Sequence, residues 1–422
     1  MPLKQHGRTY DLVVFGATGY TGKYTAEHIT EHLPTDLKWA IAGRSQGKLE
    51  KLAAELKGLN PDRRQPDIET CALTDADLGA LAKKTFILIS TVGPYGQHGE
   101  HAFKACAENG THYFDVTGEV PFVARMIKKY EHVAKESGSM LFPEIGVESA
   151  PADLIAWSLV KQNRVAFGAK TGETVMSVHR IDASPSGGTF ATALSFFDNF
   201  TLQEIGQAMQ PFALSPVPNP NAAAKRSSIF TALTGLRTVP ELGLLTTFLA
   251  GDSDRAIVHR TWGLFSQIPS KKDESYGPNF NFGEYMKTRN WLSGFFVHLG
   301  IVVIGFLFVM LPPLRNLAKR FVYEQGQGPD VEQAKKDELE YRGVATPDTD
   351  TAVGKQAYCR AWFNGSMYAL TAVFLAQAAA TVLEDDLDLG GGGVFTAACL
   401  GQGFVDRLDT AGFKIETKTI TN

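Results

Sequence analysis

Residues 10–29 read YDLVVFGATGYTGKYTAEHI: a strand-forming run, a turn carrying Gly16, Gly19 and Gly22 at three-residue spacing, and a helix-forming segment. This order predicts a seat for the pyrophosphate of a dinucleotide. Backbone N–H groups at a helix N-terminus attract the anion, and side chains on the turn would hold it away. Gly16 makes the tight turn, Gly19 lets the backbone approach the phosphates, and Gly22 lets the helix pack on the sheet. Ala17, Thr18, Tyr20 and Thr21 complete the candidate phosphate loop. The alternative is a turn with a purely structural role.

Working outward, strand patterns at 11–15, 39–42, 68–73, 86–91, 113–116 and 140–143 alternate with helical patterns, the rhythm of βαβ units. Together they predict an α/β fold with a Rossmann-type doubly wound parallel sheet. The end of the second strand bears on the choice of dinucleotide. An acidic residue there would accept from a ribose 2′-hydroxyl, whereas the chain has Ala42-Gly43-Arg44-Ser45, with Lys48 a turn further on. The planar fork of Arg44 suits a 2′-phosphate, so NADPH is the expected cofactor, with Ser45 and Lys48 beside it. Asp75, after the third strand, is either an adenine-side contact or the cap of the next helix. Thr91, Val92, Gly93, Pro94 and Tyr95 follow the fourth strand. Open α/β sheets bind ligands at such carboxyl ends, and this backbone is expected beside the nicotinamide ribose. Residues 115–119, DVTGE, occupy the same rim after the fifth strand.

Beyond 143 the rhythm changes. A helix is expected from Pro151, and the alternating run 174–182, TVMSVHRID, predicts a half-buried strand of a largely antiparallel sheet. The stretch 184–188, SPSGG, is expected as a loop and a helix from Thr189. Prolines at 211, 216, 218 and 220 make 211–228 a loop. Further strands are expected at 256–261, 280–285, 356–363 and 413–418, and an apolar helix at 367–383. Between them lies WLSGFFVHLGIVVIGFLFVML, residues 291–311, without a charged side chain and long enough to cross a hydrocarbon core of about 30 Å. Lys287 and Arg289 precede it and Arg315, Lys319 and Arg320 follow, so flanking charge sets no orientation. Gly294, Gly300, Gly305 and the pair Pro312-Pro313 would permit a bend. Three outcomes are open: insertion into one leaflet, a full span, or a helix buried in protein or at a dimer contact. One-leaflet insertion is expected, because the segments on either side belong to one domain. These patterns give a dinucleotide-binding domain over 1–145 and an α+β domain for substrate and dimer contacts over 146–290 and 352–422. A hydrophobic insertion covers 291–321 and a flexible polar segment 322–351.

Composition excludes several function classes. With 422 residues, 44% hydrophobic and 20% charged, the chain can bury a large core and is not disordered. A formal net charge of -4 leaves no electrostatic footprint for nucleic acid. Cys71, Cys106, Cys359 and Cys399 lie far apart, which fits reduced thiols in an intracellular compartment and no metal site. The polar opening MPLKQHGRTYD is expected not to be a signal peptide.

The stretch VGPYGQHGEHAFKACAENGTHYFDVTGE, residues 92–119, with GATGYTG and AGR, resembles the saccharopine dehydrogenase-like oxidoreductases, in particular their enoyl-reductase and lipid-droplet-associated branch. The likeness recurs at Ser186-Gly187-Gly188-Thr189, at Tyr276-Gly277-Pro278 with Tyr285-Met286, and in the glycine-rich C-terminal segment. The family's Cys-Gly-aromatic-Asp-Ser-x-Pro-Ser-Asp pattern stands here as IGVESAPAD, residues 145–153. Ser149, Pro151 and Asp153 match, while Ile145 and Val147 replace the Cys and the ring. The resemblance implies a two-domain NAD(P)-dependent oxidoreductase. The expected function is an NADPH-dependent reductase of an enoyl C=C or a C=O on a hydrophobic acyl, polyketide or lipid substrate, free or carrier-bound. The alternatives are a catalytically silent protein of a lipid droplet or membrane, and an amino-acid saccharopine dehydrogenase. The latter would need clustered cations for its carboxylates, and Arg180, Arg237, Arg255 and Arg260 are scattered. Reduction needs a proton donor: Tyr95 is the first candidate, followed by Glu119, Glu148 and His98. The other role open to Tyr95 is packing and cofactor contact. The cytosolic face of a membrane or lipid droplet is the expected location, with 291–313 as the lipid contact, and a homodimer stays open.

Overall fold

The computed structural model describes residues 3–182, 186–222, 228–318, 328, 330, 334, 336–351 and 353–421. The first sheet contains β1 (Tyr10–Phe15), β2 (Trp39–Gly43), β3 (Asp67–Thr70), β4 (Thr85–Ser90), β5 (His112–Asp115) and β6 (Met140–Phe142). The second contains β7 (Lys170–Ile181), β8 (Arg237–Val239), β9 (Gly243–Thr247), β10 (Asn281–Lys287), β11 (Glu338–Asp348) and β12 (Lys355–Asn364). β13 (Gly393–Val394) returns to the first sheet and β14 (Lys414–Thr421) closes the second.

The first sheet is parallel throughout and runs β13-β6-β5-β4-β1-β2-β3. Every residue of β1 is buried, because helices cover both faces of a parallel sheet. Strand order reverses between β1 and β4, and the carboxyl ends of these two strands border the crevice where such sheets bind ligands. The second sheet runs β14-β12-β11-β7-β10-β9-β8 and is antiparallel except for β7 beside β10. The helix Ala150–Phe167 leaves the first sheet and packs along β7, β11 and β12, so one apolar helix serves as the hinge of both layers.

Three sequence expectations need correction. Residues 256–261 lie in the helix Gly251–Gln267, not in a strand. Ten consecutive residues there, 256–265, are buried, so neither period is visible and the β-branched Ile257, Val258 and Thr261 mislead. Part of the expected flexible segment 322–351 is β11, a central strand. Its charges alternate with apolar residues, Glu338, Glu340 and Arg342 against buried Leu339 and Tyr341, and Glu340 is held by Arg342 and Arg360. Residues 319–321 of the expected insertion, with Lys319 and Arg320, residues 322–327, 329, 331–333 and 335 of the polar segment, and residues 184 and 185 of the expected loop lie outside the described residues. The C-terminal segment is also shared between layers. The helix Met367–Glu384 packs against the helix Tyr20–His32, and Gly393 and Val394 extend the first sheet beside β6.

The apolar run forms the helix Trp291–Met310, closed at its start by a capping box of Asn290 and Ser293. It is not buried within the chain: of its twenty residues only Gly294 is buried.

Arg260, 1% exposed, ties the layers together. It donates to the carbonyls of Leu214 and Val394, each at 2.6 Å, and to Glu131 at 2.8 Å. Arg260→Met leaves these acceptors without a donor and should cost about 3 kcal/mol in urea unfolding. A loss below about 1 kcal/mol would mean that the clamp is not needed.

Candidate nucleotide site and carboxyl recess

The glycine turn is as tight as its spacing requires. Gly16 has φ +85°, and a Cβ there would lie 2.6 Å from Val92 Cγ2. A Cβ on Gly22 would lie 2.3 Å from the Gly16 carbonyl oxygen and 2.8 Å from Thr91 Oγ1. Gly19 meets only the Gly16 carbonyl, at 3.2 Å, which leaves the space above the turn open. No side chain caps the helix Tyr20–His32. Its first N–H groups and open turn therefore fit a pyrophosphate. The Ala17 side chain is buried, so this residue offers only backbone, while Thr18 is exposed. Thr21 is half-buried on the first helical turn. Tyr20 packs edge-on against Tyr368, whose hydroxyl accepts from the backbone N–H of Ser186 at 2.5 Å. The Ser186 segment thus meets the nucleotide turn.

Arg44, Ser45 and Lys48 are exposed together at the end of β2. Ser45 begins the helix Gln46–Leu59 without a side-chain cap, so a phosphate placed here meets a guanidinium, an ammonium and a helix N-terminus. Burial first, and then the charge of Arg44, hold the His98 imidazole below its usual range, which puts the Arg44 field on this rim. Of the two roles expected of Asp75, capping falls to its neighbour Thr74, which accepts from the Asp77 N–H. Asp75 instead binds Lys104 at 2.6 Å and His101 at 2.5 Å, and these two bonds hold its carboxyl low. Thr91 Oγ1 donates toward the carbonyls of Phe15 at 3.2 Å and Gly16 at 3.1 Å, fastening β4 to the turn. Val92 and Gly93 are half-buried beside it, and Pro94 precedes the short helix Tyr95–His98.

The candidate proton donors separate by exposure. Tyr95 is 5% exposed, and its hydroxyl donates to the Ser90 carbonyl at 2.9 Å. Burial raises its phenol well above the ordinary value. Its hydrogen is committed to the backbone, and the side chain braces β4 against β5. Glu119 is also buried, and its two oxygens accept from the N–H groups of Tyr95 at 2.7 Å and Gly96 at 3.0 Å. It fixes the 91–96 loop. Glu148 is different: the residue is exposed, yet its carboxyl lies so close over Gly118 that a Cβ there would be 2.2 Å from Oε2. Its carboxyl borders a set of buried carboxyls, here called the carboxyl recess, and desolvation by the surrounding protein raises its proton affinity.

Sequence reasoning missed the wall of that recess. Glu144, Asp254 and Glu284 are buried carboxyls whose charges interact with that of Glu148. Ser149 Oγ lies 2.8 Å from Glu144 Oε2 and 2.9 Å from Asp254 Oδ1. Glu144 has φ +61°, rare for a side-chain-bearing residue and typical of functional loops. Asp254 and Glu284 come from the second domain, more than a hundred residues away in sequence, so no spacing could have signalled them. Asp153, expected only as a motif position, accepts from Thr261 at 2.5 Å and from the Ala398 N–H at 2.8 Å, so its role is to hold the C-terminal segment. Among the described residues no cluster of His, Cys, Asp or Glu could hold a metal ion.

Residues 12–142 match the family described as saccharopine dehydrogenase NADP binding domain. A trans-acting enoyl reductase of Mycobacterium tuberculosis is 29% identical over 441 residues, covering 98% of this chain and 99% of its own. A saccharopine dehydrogenase-like oxidoreductase of Bos taurus is 29% identical over 453 residues, 98% of each chain. Among solved structures, apo saccharopine dehydrogenase (L-Glu forming) from Saccharomyces cerevisiae shares the fold. Its TM-score is 0.50 over 97% of this chain and 99% of that one, at 12% identity.

Two measurements test the site. Arg44→Ala should weaken NADPH binding by roughly 10- to 100-fold, the worth of a charged hydrogen bond, and NADH binding by about twofold or less. Equal losses for both would remove Arg44 from the 2′-phosphate. The second concerns pH. Burial, ahead of every other cause, raises Asp115 to about 6 and Glu119 and Glu284 to about 7. Each binds its proton more tightly folded than unfolded, so its contribution is full at low pH and is lost as pH rises through these values. Burial acts first on His28 and His259, lowered to about 3, and on His112 and His179, lowered to about 4. These oppose the trend only up to the unfolded histidine value of about 6.5. Unfolding free energy should therefore fall between about pH 6.5 and pH 8, and Glu284→Gln should flatten that slope. A rise over this interval contradicts the assignment.

Proposed function

Because this chain belongs to the saccharopine dehydrogenase-like, NADP-binding oxidoreductases, we propose that it is an NADPH-dependent reductase acting on a hydrophobic acyl, polyketide or lipid substrate. The observation that carries this reading is Glu148, an exposed residue whose carboxyl, raised in proton affinity by desolvation, lies over Gly118 on the rim after β5. NADPH, when bound, supplies a hydride. The chain must hold the dinucleotide and supply a proton. Gly16, Gly19 and Gly22 with Arg44 do the first, Thr91 and Glu119 keep the neighbouring loop in place, and Glu148 does the second.

The arginines of the second domain support an apolar substrate over a dicarboxylic amino acid. Arg180 pairs with Asp182 and Glu338, Arg237 with Glu173, Arg255 with Asp252 and Arg260 with Glu131. All four cations are engaged in ion pairs, and the carboxyls around Glu148 offer no cation to a substrate carboxylate. NADPH should be consumed with enoyl thioesters and not with lysine plus 2-oxoglutarate. Glu148→Gln should lower kcat by roughly 100-fold or more while leaving the NADPH Kd within about twofold. Consumption with the amino-acid pair alone would overturn the substrate class.

The helix Trp291–Met310 supports a lipid workplace. Thr246 Oγ1 donates to the Gly294 carbonyl at 2.7 Å, and Thr247 Oγ1 lies 2.8 Å from His298 Nδ1, so the first two turns dock on β9. Beyond His298 about 12 residues remain, roughly 18 Å of helix. That matches one leaflet of a hydrocarbon core of about 30 Å, not both. β10 and β11 both pair with β7, which keeps the two ends of the insertion on one side. Phe296 is 58% exposed and Phe306 62%, and the neighbouring helix Ile229–Thr234 presents Ile229, Phe230 and Leu233, all exposed. The chain is expected to insert into a single leaflet, at a lipid droplet or the cytosolic face of a membrane. It should float with phosphatidylcholine vesicles, and F296S/V303S/F306S should release it. A wild-type chain that stays soluble without detergent sinks the lipid assignment.

A further inference from the structure

The helix Gly187–Asn199 follows β7 of the second sheet yet runs along the rim of the first. At its end Asn199 Oδ1 accepts from Gln97 Nε2 at 3.0 Å, and the Asn199 carbonyl accepts from Arg125 at 3.2 Å. In its middle Thr192 Oγ1 lies 3.7 Å from where a Cβ on Gly93 would stand. At its start it reaches the glycine turn through Tyr368, whose ring is edge-on to that of Tyr20 with centroids 4.8 Å apart. The helix thus joins the turn after β1 to the loop after β4, the two borders of the ligand crevice.

Hydrogen-bond accounting at that start leaves one donor over. The Tyr368 hydroxyl, on a residue only 5% exposed, accepts the backbone N–H of Ser186 at 2.5 Å. Its own hydrogen then goes to Thr189 Oγ1, 2.9 Å away. Ser186 Oγ caps the helix by accepting from the Thr189 N–H. Thr189 Oγ1 has accepted and still has a hydrogen to give. Among the described residues its remaining partner is Ser186 Oγ at 3.3 Å, longer than an O–H···O bond ordinarily runs. Thr189 is exposed, and it stands one turn before Thr192, on the helix face that meets Gly93. Holding the helix needs only the Ser186 cap and its N–H bond to Tyr368. The bond from Tyr368 to Thr189 does something more, since it aims a hydroxyl that the protein itself leaves unused.

The seat across from it is one-sided. The space above Gly19 is open, and the N–H groups at the start of Tyr20–His32 grip a pyrophosphate from below only. Oxygens on its far side still need donors, and a hydroxyl bonded to a charged phosphate makes a short, strong bond. We propose that Thr189, with its hydroxyl aimed by Tyr368, closes over the pyrophosphate of NADPH from the side opposite the glycine turn. Thr189 is then a cofactor-binding residue and Tyr368 a positioning residue. The second domain shares in holding the dinucleotide, whatever the substrate.

Fluorescence titration with NADPH reads this clamp without any reaction. Thr189→Val, which keeps the shape and removes the hydroxyl, should raise the Kd roughly tenfold, while Thr189→Ser should stay within about twofold of the wild type. Tyr368→Phe should raise the Kd by roughly three- to tenfold. Adding it to Thr189→Val should bring no further loss, because the phenol acts through the hydroxyl. Two fragments locate the contact. 2′-Phospho-ADP-ribose keeps the pyrophosphate and lacks the nicotinamide, so Thr189→Val should weaken it as much as NADPH. Adenosine 2′-phosphate, held at the Arg44 end, should bind as before. A loss confined to NADPH would move the contact to the nicotinamide and overturn the proposal. A loss shared by adenosine 2′-phosphate would mean a disturbed fold and overturn it too, as would an unchanged NADPH Kd in Thr189→Val.

Discussion

Everything at the nucleotide end depends on one close approach, the α-carbon of Gly22 against the carbonyl of Gly16, with the Thr91 hydroxyl wedged beside both. A single methyl at either glycine would collide with its neighbours, and the helix Tyr20–His32 could no longer meet β1 at this angle. Because Thr91 directly follows β4, the same contact sets the separation of β1 and β4, the two strands that border the ligand crevice. From there the constraint passes along the loop. The backbone after Thr91 is fastened by Glu119, and Glu119 follows Gly118, over which Glu148 lies.

The second domain completes what the first cannot. A parallel sheet offers a phosphate seat and a rim, but its strand ends carry few groups able to hold a proton in a dry place. The helix Gly251–Gln267 and β10 bring the buried carboxyls of Asp254 and Glu284 to the 144–149 loop, where Ser149 Oγ reaches both Glu144 and Asp254. Arg260 anchors the same helix to the first sheet through Val394, so the recess and the domain contact are held by one element.

Much of this was legible in residues. The glycine spacing, Arg44 at the end of β2 and the six-strand rhythm are local signals, each set by steric or electrostatic need within a few positions. Three things were not legible, for physical reasons. A helix buried on all sides, 251–267, shows no period. A central strand such as β11 can carry charge on its open face and pass for a flexible segment. The carboxyl recess is built from residues 144, 149, 254 and 284, which only the tertiary fold brings together. Tyr95 drew attention as a phenol on the expected loop, but the sequence did not disclose that its hydroxyl is bound to Ser90.

The central claim, that this recess delivers a proton to a substrate reduced by NADPH, is tested most directly by running the reduction of an enoyl thioester in D2O and locating the label in the product. One solvent-derived deuterium is expected on a single face of the carbon next to the carbonyl, because a fixed carboxyl approaches from one side. A racemic label would mean that water, not Glu148, delivers the proton, and would contradict it.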